Sequence, residues 1–178
     1  MENKTKLFET ERLFLRRFEL ADAEQMYNNY CSNDNVTKML SWDTHSSLDD
    51  TKQYLEKVAL PRYDEKAYMW AVVLKETNEV IGSIDVNHYD LNKKSACLGW
   101  VLSEKYWGRG LMPEAAKVVR DYLFSEGFVR LWAYHYVGND KSGRVMQKIG
   151  MIHEGTLHKY AYNNKGNLVD VELYAITK

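Results

Sequence analysis

The sequence contains little proline and cysteine, and it has no long apolar segment. Its 178 residues include two Pro and two Cys. So few prolines exclude a proline-rich linker. The longest clearly apolar runs extend for about five residues, as from Trp70 to Leu74, whereas a membrane-spanning helix needs roughly 20. We therefore expect no membrane partner.

Neither sign of charge is in excess. The chain has 24 basic and 25 acidic residues and a formal net charge of −1. Without a basic excess there is no bulk attraction to a phosphate backbone, so we expect no direct nucleic-acid partner. Cys31 and Cys97 form no CxxC pair, which fits a reducing compartment. The expected location is the cytoplasm.

One histidine pair approaches a metal-binding pattern without matching it. The stretch His153-Glu154-Gly155-Thr156-Leu157-His158 is one residue longer than the HExxH zinc motif. It also contains Gly155 in a strand-like context, so the two rings would not share one helix face. We expect no metal site.

The regular pattern that is present predicts alternating strands and helices in a single domain over residues 1–178. Apolar residues make up 45% of the chain and charged residues 28%, as in ordinary globular proteins. Asp22 with Gln25, and Ser47 with Asp50, resemble helix-capping pairs. Further helices begin near Pro113 and at Asn139 or Asp140. Strands are predicted over 12–18, 68–74, 80–87, 96–102, 129–137, 152–162 and 168–176.

This order of elements predicts an α+β protein with a mixed sheet. The strand, helix and strand over residues 96–137 indicate a parallel crossover. The hairpins on either side of that unit indicate antiparallel pairing elsewhere.

Two glycines between a predicted strand and a predicted helix are the main functional signal. Gly108 and Gly110 precede the helix that begins near Pro113. Glycines allow a ligand to approach the backbone closely, and the first amides of a helix lack partners, so this pattern suits an anion. A Rossmann fingerprint does not fit, because Pro113 stands at the third glycine position and residues 128–131 contain no acid. A P-loop motif is missing, and a tight turn without any ligand remains an alternative.

Motifs along nearly the whole chain carry a more specific signal. Around the glycines the sequence reads Leu98-Gly99-Trp100-Val101-Leu102, then Lys105-Tyr106-Trp107-Gly108-Arg109-Gly110, then Glu114-Ala115. Glu11-Arg12-Leu13 lies near the start, and Asn139-Asp140-Lys141-Ser142 precedes Lys148-Ile149-Gly150-Met151. This ordered set resembles the GNAT superfamily of acyl-CoA N-acyltransferases, with Lys105 in place of the usual Gln or Arg. The likeness is greatest to its ribosomal-protein-alanine N-acetyltransferase branch.

The resemblance implies a fold and a binding site. The fold is a mixed, mostly antiparallel sheet of about seven strands, splayed between strands 4 and 5 and flanked by about four helices. Acetyl-CoA would lie in that gap, with no metal. The implied contacts are the backbone of Val101 and Leu102 with the pantetheine arm, the amides of Gly108, Arg109, Gly110, Leu111 and Met112 with the pyrophosphate, the side chain of Asn139 with the arm, and Trp107 near the ligand. Lys141, Arg144 or Lys148 would meet the outer phosphates or remain surface charges.

The implied reaction is acetyl transfer to a primary amine by direct attack, without an acyl-enzyme. Much of the superfamily has a Tyr seven residues after the Asn, where this chain has Met146. The branch instead implies Ser142 as the proton donor to the thiolate, with Asn139 beside it, although Ser142 would otherwise bond backbone near its helix start. The Glu that the branch often carries is replaced by Cys97. Asp85, His88 or Glu104 then remain as candidate bases.

The amine acceptor follows only in outline. A model Lys side chain has a pKa of about 10.4 and an α-amine about 7.9, so neutralising the Lys amine at pH 7 costs about 3.4 kcal/mol more. Without an obvious strong base we expect a protein N-terminal α-amine or a small-molecule amine. Homodimers are usual in the branch. A catalytically silent CoA-binding sensor or partner protein is the alternative, and a nucleotide-dependent oxidoreductase is a weaker one.

Overall fold

A single eight-stranded sheet organises the protein. The computed structural model describes residues 4–65 and 67–178. The strands lie in the order β1-β2-β3-β4-β5-β6-β8-β7. Their bounds are Phe8–Glu9 (β1), Leu13–Arg16 (β2), Met69–Leu74 (β3), Glu79–Asp90 (β4), Ser95–Leu102 (β5), Arg130–Tyr136 (β6), Ile152–Tyr162 (β7) and Leu168–Thr177 (β8).

Five α-helices are present within the described residues. They are Ala23–Met26 (α1), Asp34–Thr37 (α2), Leu48–Tyr54 (α3), Leu111–Ser125 (α4) and Asp140–Lys148 (α5). Two of them continue as π-helical turns, α1 through Tyr27–Cys31 and α3 through Leu55–Ala59. Short 3₁₀ turns cover Leu20–Asp22, Pro61–Tyr63 and Glu104–Tyr106. None of the described helices is long and apolar enough to cross a bilayer.

The central strands of the sheet are buried on both faces, against different helices. One core packs α4 and α5 residues such as Val119 and Met146 against alternate strand residues such as Trp70 and Ile84. The other packs α1, α3 and their π-helical turns against the opposite face, which includes Ala71. This alternation is the two-residue period expected of strands.

The strand predictions are confirmed, with two elements added and one cap corrected. The sequence patterns did not predict β1 or α2. The capping pair of Ser47 and Asp50 is present. The predicted pair of Asp22 and Gln25 is wrong, because the Asp22 carboxylate accepts from the Arg16 guanidinium and the Glu19 amide, while Gln25 Oε1 accepts from the Val80 amide.

The separation that positions the site lies between β5 and β6, the fourth and fifth of the predicted strands. These two strands pair in parallel at only three positions, Ser95 with Arg130, Ala96 with Leu131 and Cys97 with Trp132. Beyond them β5 stays paired with β4 as far as Leu102, and β6 stays paired with β8 as far as Tyr136. The expected splay is therefore confirmed, and it opens a wedge at the carboxyl ends of both strands.

Candidate active site

A cleft of about 920 Å³ occupies this wedge and continues toward α1 and α3. Its volume is in the range of small-molecule sites. Nine of the ten predicted site residues line it: Val101, Leu102, Trp107, Gly108, Gly110, Leu111, Met112, Asn139 and Ser142. Arg109 is not among the lining residues, and its exposed guanidinium lies 5.3 Å from the centroid of the Tyr106 ring instead.

The glycine loop presents unpaired amides at the start of α4. Gly108 and Gly110 have φ of 77° and 78°, the left-handed region that disfavours other residues. The N–H groups of Gly108, Arg109 and Gly110 donate to no described residue. Leu111 and Met112 begin the helix, where amides have no intrahelical acceptor and the helix dipole is positive. Five consecutive amides are thus able to bind an anion.

The outer side of this loop is held by Arg12, for which the sequence motifs indicated no role. Arg12 Nη1 donates to the Arg109 carbonyl at 3.0 Å, and Arg12 Nε donates to Glu114 Oε2 at 2.7 Å. The Thr10 hydroxyl also donates to Glu114, at 2.6 Å. Burial favours the neutral acid, but these hydrogen bonds outweigh it and hold the pKa of Glu114 below its ordinary value. Hydrogen bonds between the Arg12 and Glu114 motifs therefore stabilise the outer side of the loop.

Trp107 connects the loop to β5 and to α5. Its Nε1 donates to the Leu102 carbonyl at 2.8 Å. The Lys141 ammonium lies 3.8 Å from the centroid of the Trp107 ring, a cation–π distance. Arg144 and Lys148 also line the cleft. Three basic side chains of α5 therefore line the cleft that contains the amide loop.

The first turn of α5 leaves two polar side chains unused. Asn139 is the N-cap residue, yet its side chain makes no capping hydrogen bond. The Ser142 amide donates to the Asn139 carbonyl at 3.0 Å, whereas the Ser142 hydroxyl bonds to none of the residues described. The alternative role of the Ser142 hydroxyl, a hydrogen bond to backbone near its helix start, is therefore not observed among the described residues. Met146, one turn later, is buried and 1% exposed.

An ion pair in the cleft wall joins β4 to the 3₁₀ turn Pro61–Tyr63. Arg62 Nη1 is 3.3 Å from Asp85 Oδ2, and both residues line the cleft. Burial raises the pKa of Asp85, and Arg62 opposes that shift. Asp85 pairs with Gly99 across β4 and β5, and a β-carbon at Gly99 would lie 2.2 Å from Asn87 Nδ2. Gly99 thus leaves room for polar side chains above the strand.

The three candidate bases differ in whether they line the cleft. Asp85 and Glu104 line the cleft and His88 does not. The Glu104 carboxylate accepts from Asn33 Nδ2 at 3.1 Å. Burial raises the pKa of the Cys97 thiol to about 12, so that thiol stays protonated and is a poor nucleophile. A direct attack without an acyl-enzyme is consistent with this.

His45 is a further residue of the cleft wall, and the sequence patterns gave no indication of it. Its Nδ1 is 2.7 Å from the Thr51 hydroxyl, and its ring lies against Trp42 and Tyr54. Burial lowers the pKa of His45, so the ring is neutral near pH 7. His45 lies in a connecting segment without hydrophobic periodicity, so no sequence pattern predicts its position in the cleft wall.

Comparisons with known proteins agree with this geometry. Residues 12–152 match the model of the acetyltransferase (GNAT) domain. The uncharacterized N-acetyltransferase YoaA of Bacillus subtilis (strain 168) is 29% identical over 173 residues, which are 97% of each chain. The crystal structure of ribosomal-protein-S5-alanine acetyltransferase from Vibrio fischeri is 25% identical, with a TM-score of 0.81 over 97% of this chain and 96% of that one.

A further structure shares the fold and was determined with ligands. The microcin C7 self-immunity acetyltransferase MccE, in complex with acetyl-CoA and AMP, has a TM-score of 0.82 at 24% identity, over 95% of this chain and 94% of that one. The match to the domain model covers most of the chain, and the splayed strands and glycine loop lie within the matched residues. The chain therefore belongs to the GNAT acetyltransferase family, with ribosomal-protein acetyltransferases among its relatives, and it is an acetyltransferase enzyme.

Proposed function

We propose that this enzyme transfers an acetyl group from acetyl-CoA to a primary amine by direct attack. The observation that carries the proposal is the row of unpaired amides from Gly108 to Met112 at the mouth of the β5–β6 wedge. Such amides suit a pyrophosphate, and the wedge suits an extended thiol arm. GNAT acetyltransferases use acetyl-CoA as the acetyl donor, which supports the same assignment.

The proposal assigns residues of the cleft to each part of a CoA thioester. The amides of residues 108–112 would bind the pyrophosphate, with Lys141, Arg144 and Lys148 near the outer phosphates. Val101, Leu102 and the free Asn139 side chain would bind the arm. One lone pair of the Leu102 carbonyl is already used by Trp107, which leaves the second for a ligand. Acetyl-CoA supplies the acetyl thioester.

Proton transfers on both sides of the thioester carbonyl complete the reaction. The acceptor ammonium gives one proton to Asp85, and its lone pair then forms the new N–C bond. As the C–S bond breaks, the Ser142 hydroxyl donates to the departing thiolate and regains a proton, through water, from the nitrogen. The products are the amide and CoA thiol, and the proton on Asp85 passes to solvent.

The acceptor class follows from the weak base. Burial raises the pKa of Asp85 and Arg62 opposes that shift, but a carboxylate is still a weaker base than an amine, so a low-pKa α-amine is easier to neutralise than a Lys side chain. A protein N-terminus or a small molecule would supply that amine. We also propose that residues 1–178 form a single domain and that the enzyme is a homodimer.

An acetyl-transfer assay tests the function. Purified enzyme with acetyl-CoA should acetylate amines with a free α-amine, and CoA thiol should appear in equal amount. Matched peptides and amino acids with blocked α-amines but free Lys side chains should be poor acceptors. Transfer only to Lys side chains would contradict the α-amine preference. Tight CoA binding without transfer to any amine would favour the sensor alternative.

The pH dependence of kcat tests the role of Asp85. The base must be ionised, so kcat should fall as the pH drops through the pKa of Asp85. Because burial raises that pKa above its ordinary value, the acid limb should lie at a higher pH than for an exposed aspartate. Asp85→Asn should lower kcat about 100-fold and remove the limb. An unchanged limb in this variant would assign the base elsewhere, with His45→Gln as the next variant to measure.

A further inference from the structure

We call the part of the cleft around Asp85 and Arg62 its acceptor side. It contains this one carboxylate and this one guanidinium in contact with each other. Asp85 and Arg62 are 3.3 Å apart, and their side chains are 20% and 29% exposed. The remaining contacts of the Arg62 guanidinium are long, 3.5 Å to Met69 Sδ and 3.5 Å to the Val86 carbonyl. A well-formed pair between guanidinium and carboxylate has N–O distances of about 2.7–2.9 Å. Arg62 therefore keeps donors for a second carboxylate.

The charge of the cleft argues against polycationic acceptors. Its acidic lining residues are Asp85, Glu104 and Asp140, and its basic ones besides those assigned to the CoA phosphates are Lys38 and Arg62. Asn33 and Asn35 already donate to Glu104, and Asp140 lies in the first turn of α5. One carboxylate beside Arg62 remains to hold an ammonium, whereas a polyamine needs several.

The same cleft wall also contains a group of aromatic side chains and a buried polar atom without a partner among the described residues. Trp42, His45 and Tyr54 form contiguous rings in the cleft wall. Tyr30 also lies in the wall and is 2% exposed, and its hydroxyl has no hydrogen-bond partner among the described residues. A buried hydroxyl without a partner is destabilising. A water molecule within the wall would supply the missing partner.

We propose that the acceptor is a small zwitterionic amine, with ammonium and carboxylate on one carbon and an apolar or aromatic side group. This inference rests on the proposed function and narrows its acceptor. The ammonium binds Asp85, the carboxylate binds Arg62 in a bidentate pair, and the side group packs against Trp42, His45 and Tyr54. An α-amino acid has this pattern, whereas a peptide N-terminus has an amide in place of the carboxylate.

Binding to the enzyme–CoA complex tests the inference without turnover. Isothermal titration would compare L-phenylalanine with L-phenylalaninamide and phenethylamine, which lack the carboxylate, and with spermidine. We expect L-phenylalanine to bind at least 10-fold more tightly than the other three. Arg62→Gln should bring the three aromatic ligands within about 2-fold of one another. Lys57→Gln, on an exposed side chain bonded to Gln53, is the control that should keep the 10-fold preference.

The possible outcomes separate this inference from the proposed function. Equal or tighter binding of the amide, the amine or spermidine would overturn the inference, as would binding of none of them or a preference that survives Arg62→Gln. Acetyl transfer to amines without a carboxylate preference would overturn the inference and leave the function intact. Folding of Arg62→Gln is checked by its CoA affinity, which should match that of the parent enzyme.

Discussion

Gly110→Val is expected to weaken CoA binding about 10- to 100-fold. Gly110 has φ of 78° at the N-cap of α4, and a β-branched residue held there costs about 1–3 kcal/mol. Relaxation of the loop away from this conformation would turn the amides away from the pyrophosphate. A loss of about 1.4 kcal/mol of binding free energy corresponds to a tenfold weaker affinity. The KM for acetyl-CoA should rise in parallel, because the same amides bind both molecules.

The strain at this position, and not a clash within the protein, causes the expected loss. The nearest atom to a β-carbon at Gly110 is Arg12 Nη2, at an ordinary contact distance of 3.7 Å. Gly166→Val is the matched control, because Gly166 has φ of 72° in the distant β7–β8 turn with no atom within 4 Å of a β-carbon. The control should lose a similar amount of stability and keep its CoA affinity. Unchanged affinity in a folded Gly110→Val variant would remove the loop from the binding site.

Ser142→Ala is expected to lower kcat about 100-fold or more while CoA affinity changes little. A hydroxyl that donates to the departing thiolate acts in the transition state, where a general acid contributes about 10²–10⁴ in rate. The Ser142 hydroxyl makes no hydrogen bond to the described residues, so its removal should leave the melting temperature nearly unchanged. Measurements of kcat, KM and melting temperature on the same preparation separate these effects.

Ser142→Thr is the conservative variant for the same position. It keeps a hydroxyl, so it should recover more of kcat than Ser142→Ala does. Turnover at the parental rate in Ser142→Ala would exclude the hydroxyl from proton transfer. Met146, which stands where much of the family has a tyrosine, is buried and apolar, and it offers no donor to compensate.

Local patterns in the sequence predict most of the fold and the glycine loop before α4. Strand alternation and the Ser47 cap follow from neighbouring residues, as do the glycines before α4, and each of these is recovered in the structure. The Asp22 cap fails because its carboxylate faces the preceding residues, where it accepts from the guanidinium of Arg16, at the end of β2, and from the Glu19 amide. Side-chain choice at a helix start is local only when no ion pair competes.

The part of the cleft that contains Arg62 and Asp85 depends on contacts that no local pattern encodes. Arg62 follows Pro61 at the end of a helical segment, and its meeting with Asp85 on β4 is a tertiary contact. The π-helical turns that carry Tyr30 and Val58 into the cleft wall have no marker in the sequence. Such turns are frequent at functional sites, and here two of them face the acceptor side.

A crystal structure of the enzyme with bound CoA tests the central claim most directly. We expect the pyrophosphate oxygens within about 2.7–3.2 Å of the amide nitrogens of residues 108–112, with the thiol between β5 and β6 near Ser142. A pyrophosphate bound only by lysine and arginine side chains, or CoA bound outside the wedge with these amides unpaired, would contradict the claim.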